Sequence, residues 1–167
     1  DGTLATYTPN TDFNGSDSFI FSVSDGEFTN QASVTLTVDA VNDAPILTAV
    51  LDPSFDEDTI GTLSLSASDV DNDTLTYSIV GGTNILATLI GSEVTFSSLY
   101  ADYNGSEGFA ITVTDGSLED LQTITVTVNA VNDAPVATQG LSATTNEDQS
   151  VVIILSGTDI DGDILSY

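Results

Sequence analysis

Val41-Asn42-Asp43-Ala44-Pro45 comes round again, residue for residue, as Val131-Asn132-Asp133-Ala134-Pro135, 90 positions further along the chain. Identity at that spacing marks an array of small domains, and the stretch is the joint between them. Proline at Pro45 and Pro135 fixes φ, removes a backbone donor and drives the preceding alanine toward extended geometry. Each copy therefore reads as a stiff, stretched connector.

The register holds on either side of the joints. Asp12-Phe13-Asn14-Gly15-Ser16 returns as Asp102-Tyr103-Asn104-Gly105-Ser106, and Ser24-Asp25-Gly26 returns as Thr114-Asp115-Gly116. Asp56-Glu57-Asp58 returns as Asn146-Glu147-Asp148, and Asp69-Val70-Asp71-Asn72-Asp73 as Asp159-Ile160-Asp161-Gly162-Asp163, all at the same 90-residue offset. Between these motifs the chain alternates with period two. Phe19, Phe21 and Val23 share one face of a strand, Asp25-Gly26 turns the chain, and Ser33 to Val38 alternates again, which makes a hairpin. The middle of the chain adds strands near 63–65, 75–79, 85–90 and 94–96, then 109–113 and 124–128. About seven short strands per repeat, rich in Thr, Val, Ile and Ser and without helical periodicity, indicate an all-β immunoglobulin-like sandwich in tandem.

One repeat is complete on this reading, residues 44–133. Residues 1–43 are the C-terminal part of the repeat before it and residues 134–167 the N-terminal part of the next. Such end pieces cannot bury their apolar faces alone, so the chain reads as a piece of a longer array, with any secretion signal or anchor expected outside it. A sharper alternative stays open. The two end pieces together supply 77 of the 90 positions of a repeat, so the tail of one molecule and the head of the next could associate head-to-tail into filaments.

The chain has 167 residues, 26 of them acidic, and no Lys, Arg, His, Cys, Met or Trp. Without basic side chains it cannot neutralise phosphates, which argues against nucleic-acid partners and anionic membrane surfaces. Catalysis loses its usual base, thiol, Schiff-base and guanidinium groups, and no tryptophan offers a sugar platform beside a carboxylate pair, so an enzyme is not expected. No apolar run approaches the length of a membrane span. The apolar share is 40%, with a positive mean hydropathy, which fits folded domains with a buried core rather than a disordered polyanion. Self-repulsion of an acidic surface predicts dependence on divalent cations or a salty medium.

The carboxylates concentrate in loops beside the joints. Asp69-x-Asp71-x-Asp73 sets three at spacing two, and Asn42 and Asp43 of the linker add more oxygens. Two carboxylates about 5 Å apart repel by roughly 3 kcal/mol at an effective dielectric near 20, so a cation is needed to gather them. An oxygen-only, flexible, highly charged site suits calcium better than magnesium. These are not EF-hands, since strands flank the loops and Val80 stands where the closing glutamate belongs. The plain alternative is solvated turns, and for Asp25-Gly26 and Asn14-Gly15 taken alone it is the better reading. Phe13 and Tyr103 read as packing under their Asn-Gly turns, with exposed contact residues as the alternative. Phe19, Phe21, Phe96 and Phe109 read as core.

Together, Asp-x-Asp, Asp-Phe-Asn-Gly, Ser/Thr-Asp-Gly and Val-Asn-Asp-Ala-Pro resemble the cadherin-like and related bacterial immunoglobulin-like tandem repeats of large surface adhesins and secreted repeat proteins. The resemblance covers essentially the whole chain. It implies cadherin-like β-sandwiches of about 90 residues with calcium chelated between successive domains. By position, the first joint would use Asp12, Asn14, Asn42, Asp43, Asp69, Asp71 and Asp115. The second would use Glu57, Asp102, Asn104, Asn132, Asp133, Asp159 and Asp161. Cadherins carry an acidic residue where Asn14 and Asn104 stand and one more linker asparagine, so the ion count per joint stays open, as does the role of Asp73 and Asp163. The function implied is a calcium-rigidified, non-enzymatic stalk or fibre segment of an extracellular bacterial protein, partnered by neighbouring repeats of its own chain. The alternatives are an adhesive module that binds a partner directly and an accessory domain of a secreted polysaccharide-degrading enzyme.

Overall fold

A computed structural model describes residues 4–167, and no helix occurs among them. Two strands lead the chain, β1 (Gly15–Ser24) and β2 (Thr29–Val38), an antiparallel hairpin in which Phe19 faces Val34. Nine more fall between the joints: β3 (Ile46–Leu47), β4 (Ser54–Asp56), β5 (Ile60–Ser64), β6 (Ala67–Ser68), β7 (Thr76–Gly81), β8 (Ile85–Ile90), β9 (Glu93–Ser98), β10 (Gly105–Thr114) and β11 (Glu119–Asn129). Two short strands follow, β12 (Val136–Ala137) and β13 (Gly157–Thr158), paired antiparallel.

The strands between the joints form two principal sheets, in the orders β4-β11-β10-β7 and β5-β9-β8, with β3 and β6 as a separate pair. All pairings are antiparallel except β4 with β11, which is parallel. Alternation builds the core directly. Phe109, Ile111 and Val113 of β10, Ile124, Val126 and Val128 of β11, and Val94 and Phe96 of β9 are all buried, every second residue along each strand. The rings of Phe96 and Phe109, one from each sheet, meet edge-to-face with centroids 5.4 Å apart and planes at 68°. Gly82 lets the β7–β8 turn lie against that pair. Its φ of +75° disfavours a side chain, and a Cβ there would stand 2.6 Å from Phe109 Cζ.

Every residue of the buried hydrophobic cluster lies between Leu47 and Val128. Tyr103 packs against that cluster, as expected of a ring beneath its turn, while Phe13 stays exposed. Phe19 and Phe21 both depart from their reading as core, and Phe19 is only half-buried and lies outside that cluster. Phe21 faces the same way as its counterpart Ile111, but among the described residues no second sheet covers the β1–β2 hairpin, and the ring is exposed.

A network of carboxylate-to-backbone bonds fixes the loops that basic residues would otherwise stabilise. Glu107 of β10 accepts from the NH groups of Thr83, Asn84 and Ile85 and from the Asn84 amide, at 2.7 to 3.1 Å. Desolvation opposes its ionisation, yet the four donors prevail and bring its pKa down to about 2.

Candidate metal centres

Each joint is built from the linker and the loop between β6 and β7, or its copy. Asp69 Oδ1 accepts the NH groups of Asp71, at 2.8 Å, and Asp73, curling the loop around one carboxylate. Asp71 then accepts the linker NH of Asp43 through Oδ2 at 2.8 Å. The same arrangement returns 90 residues on. Asp159 Oδ1 accepts from Asp161 and Asp163, and Asp161 Oδ2 accepts the NH of Asp133 at 2.7 Å. Spacing two lets one aspartate hold the loop while the next holds the linker.

At the first joint, Asp69, Asp71 and Asp73 each bring a carboxylate oxygen within 4.8 Å of the others. Asp12, Asn14, Asp43 and Asp71 line one cavity there, and Asp12, Asp43 and Asp69 line another. Asp12 reaches the joint from a left-handed turn, φ +59°. The Asn42 amide donates to Asp115 Oδ2 at 2.8 Å and to Asp43 O within the linker, which brings two of the first joint's expected residues together. The other Asp115 oxygen accepts the NH groups of Ser117 and Leu118, so Asp115 serves its own turn and the Asn42 amide. Leu118, then Asn42, then Ser117 hold its pKa below the ordinary aspartate value.

At the second joint two clusters share one residue. Glu57, Asp133 and Asp161 form the first, and Asp58, Asp102 and Asp133 the second. Glu57 is 3% exposed. Its Oε1 accepts the NH of Val131 at 2.6 Å. Burial pushes the Asp133 carboxyl up from the usual aspartate value, and the charges of Asp102, Asp161 and Asp58 add to the shift. Asp58, which is exposed, and Asp102 both sit in left-handed turns, with φ of +60° and +58°. Asp58 was not among the ligands read from position, although Glu57-Asp58 and Glu147-Asp148 repeat at the 90-residue offset. Asn104 is exposed, and the Asn132 amide donates to Asp133 O within the linker.

Among the described residues, three carboxylate oxygens are buried without a hydrogen-bond partner, Glu57 Oε2, Asp69 Oδ2 and Asp133 Oδ2, and all three lie at the joints. Buried carboxylate oxygens need a donor or a cation. The sequence contains no Lys, Arg or His to supply one, so the donor set fits a hard cation taken from solution. Among the described residues no helix is long and apolar enough to cross a membrane.

Comparison with known proteins agrees with the architecture. The family described as bacterial Ig domain matches residues 42–129, more than half of the chain, and the cadherin-like domain family matches residues 1–39. The crystal structure of human protocadherin-24 EC1-2 superposes with a TM-score of 0.52 at 26% identity, covering 71% of this chain and 63% of that one. Chitinase A of Pseudoalteromonas piscicida is 38% identical over 104 residues, which is 60% of this chain. The match spans only 13% of that chitinase.

Proposed function

The chain belongs to the bacterial Ig domain family, and from that premise we propose that it is a calcium-rigidified stalk or fibre segment of a large extracellular repeat protein, with no catalysis of its own. Residues 44–133 are one complete repeat in this reading, flanked by parts of two others. The observation that carries it is the trio of buried, unpartnered oxygens on Glu57, Asp69 and Asp133, in a chain with no basic side chain to meet them.

Calcium would be held at the second joint by Glu57, Asp58, Asp102, Asp133 and Asp161. At the first joint Asp12, Asn14, Asp43, Asp69 and Asp71 would hold it. When bound, it supplies the positive charge that turns carboxylate repulsion into a tie between successive repeats. The linker prolines then set a direction that the ion makes rigid. Extracellular modules bind calcium in the range of about 0.1 to 1 mM, which suits an exposed surface protein. Thermal melting in chelator, calcium and magnesium tests this reading. Calcium should raise the transition well above both other conditions, and identical transitions in all three would reject it.

The match to a chitinase favours a second reading, in which the same rigid repeats are an accessory segment of a secreted polysaccharide-degrading enzyme. Retention of the chain on insoluble chitin would support that role over simple spacing.

A further inference from the structure

One flank of the complete repeat lacks the protection that edge strands ordinarily carry. The two sheets end on that flank in β7 and β8, and on the opposite flank in β4 and β5. β4 is three residues long and ends on Asp56. β8 has six residues, Ile85-Leu86-Ala87-Thr88-Leu89-Ile90, with no charge, no proline and an unbroken register on β9. Charge, proline, bulges and shortness are the usual guards of a free edge, and β8 has none of them. β7 beside it carries no charge either, in a chain with 26 acidic residues.

The backbone of β8 is aimed to use that edge. Asn84 O accepts the NH of Leu99 at 2.8 Å, continuing the β8–β9 ladder by one residue. In an antiparallel ladder alternate residues turn both backbone groups to one neighbour, so Leu86, Thr88 and Ile90 bond to β9 while Ile85, Ala87 and Leu89 face outward. The Ile85 NH is met by Glu107 Oε2 at 3.0 Å. Among the described residues no strand meets Ala87 or Leu89 from that side. Their side chains, with Tyr77 and Ile79 of β7, pack against the core yet stay only half-buried. Leu86 and Ile90 stand 48% and 77% exposed on the outer face.

We propose that β8 is a self-pairing edge, at which the complete repeats of two molecules join antiparallel about Thr88. Side chains directly opposite each other lie on the same face, so this register sets Leu86 against Ile90 twice and Thr88 against itself. Ala87 and Leu89 then exchange backbone hydrogen bonds with Leu89 and Ala87 of the other copy. Centring on Ala87 instead would set Leu86 against Thr88 and Ile90 against Asn84, matching apolar with polar. A second copy of this chain thus meets β8 with matching apolar pairs and matching donors, on the flank where the polyanion repels least.

None of the residues gathered at the joints lies on β7 or β8, so repeats added at either end of the chain leave this flank open. In a stalk of many repeats each weak contact is multiplied along the length, which binds stalks side by side. That consequence rests on the stalk reading, and the pairing itself does not. Calcium stabilisation is read by melting and edge pairing by association, so either can fail alone.

Sedimentation velocity of the full chain in calcium at physiological salt tests the pairing, since a Debye length of about 8 Å screens net charge but not close charge pairs. The unmodified chain should pass from one-chain to two-chain species as concentration rises. Two double variants on the exposed face, Leu86→Asp with Ile90→Asp and Leu86→Lys with Ile90→Lys, should each stay monomeric with an unchanged melting transition. Their equimolar mixture should recover the two-chain species, because opposite charges then face each other. The chain has no cysteine, so Thr88→Cys reads the register directly: opposed Cα atoms of a non-hydrogen-bonded pair are about 4.5 Å apart, within disulfide reach. In a glutathione redox buffer Thr88→Cys should give a disulfide-linked two-chain species, and Thr62→Cys, exposed on β5 of the same sheet, should not. A monomeric unmodified chain at the highest concentration, double variants that associate like it, a mixture that stays monomeric, or equal cross-linking of Thr88→Cys and Thr62→Cys would each overturn the proposal.

Discussion

Glu57 accepts the NH of Val131 through one carboxylate oxygen at 2.6 Å and buries the other without a partner. The residue ties a repeat to the linker that leaves it and places an unmet charge beside Asp133 and Asp161. Glu57→Gln keeps an acceptor for Val131 and removes the charge. In chelator its melting temperature should equal or exceed that of the parent, since an uncompensated buried charge is lost. In calcium the variant should forfeit most of the stabilisation, with affinity at the second joint down at least about tenfold. Calorimetric titration checks this, and an unaltered calcium response would remove Glu57 from the site.

Glu107 governs acid stability. Its pKa is about 2 in the folded chain against 4.5 for an ordinary glutamate, so its contribution is full above pH 4.5 and is lost as pH falls toward 2. Glu107→Gln weakens the charge-assisted bonds to Thr83, Asn84 and Ile85 and should cost about 2 kcal/mol at neutral pH. Denaturant unfolding at pH 7, 4 and 2.5 should show the gap between the two proteins shrinking with pH.

Phe96 tests the core independently of the metal. It is wholly buried and meets Phe109 edge-to-face, so Phe96→Ala should cost about 3–5 kcal/mol in urea unfolding. Its native state should bind calcium as the parent does, because neither ring offers an oxygen to the acidic clusters of the joints.

Much of the molecule was legible because its physics is periodic. The 90-residue spacing of the two Val-Asn-Asp-Ala-Pro stretches and the alternation of β10 and β11 led to tandem sandwiches, and the likeness to cadherin-type and bacterial immunoglobulin-like repeats is borne out. Three particulars were not legible. Alternation told which way Phe21 points but not whether a second sheet exists to cover it. Asp115 fits the ligand pattern by position, and its oxygens also accept nearby NH groups and the Asn42 amide, a local network that spacing does not reveal. Asp58 comes near Asp102 and Asp133 from a left-handed turn, and φ is not written in a run of acidic residues.

The central claim is that the joints are rigid only with their cation. Small-angle scattering on dilute, monomeric chain, with calcium and then with chelator, addresses it most directly. Calcium should give one fixed, extended maximum dimension, and chelator should broaden the distance distribution as repeats bend about Val41–Pro45 and Val131–Pro135. Superimposable curves in the two conditions would contradict the account.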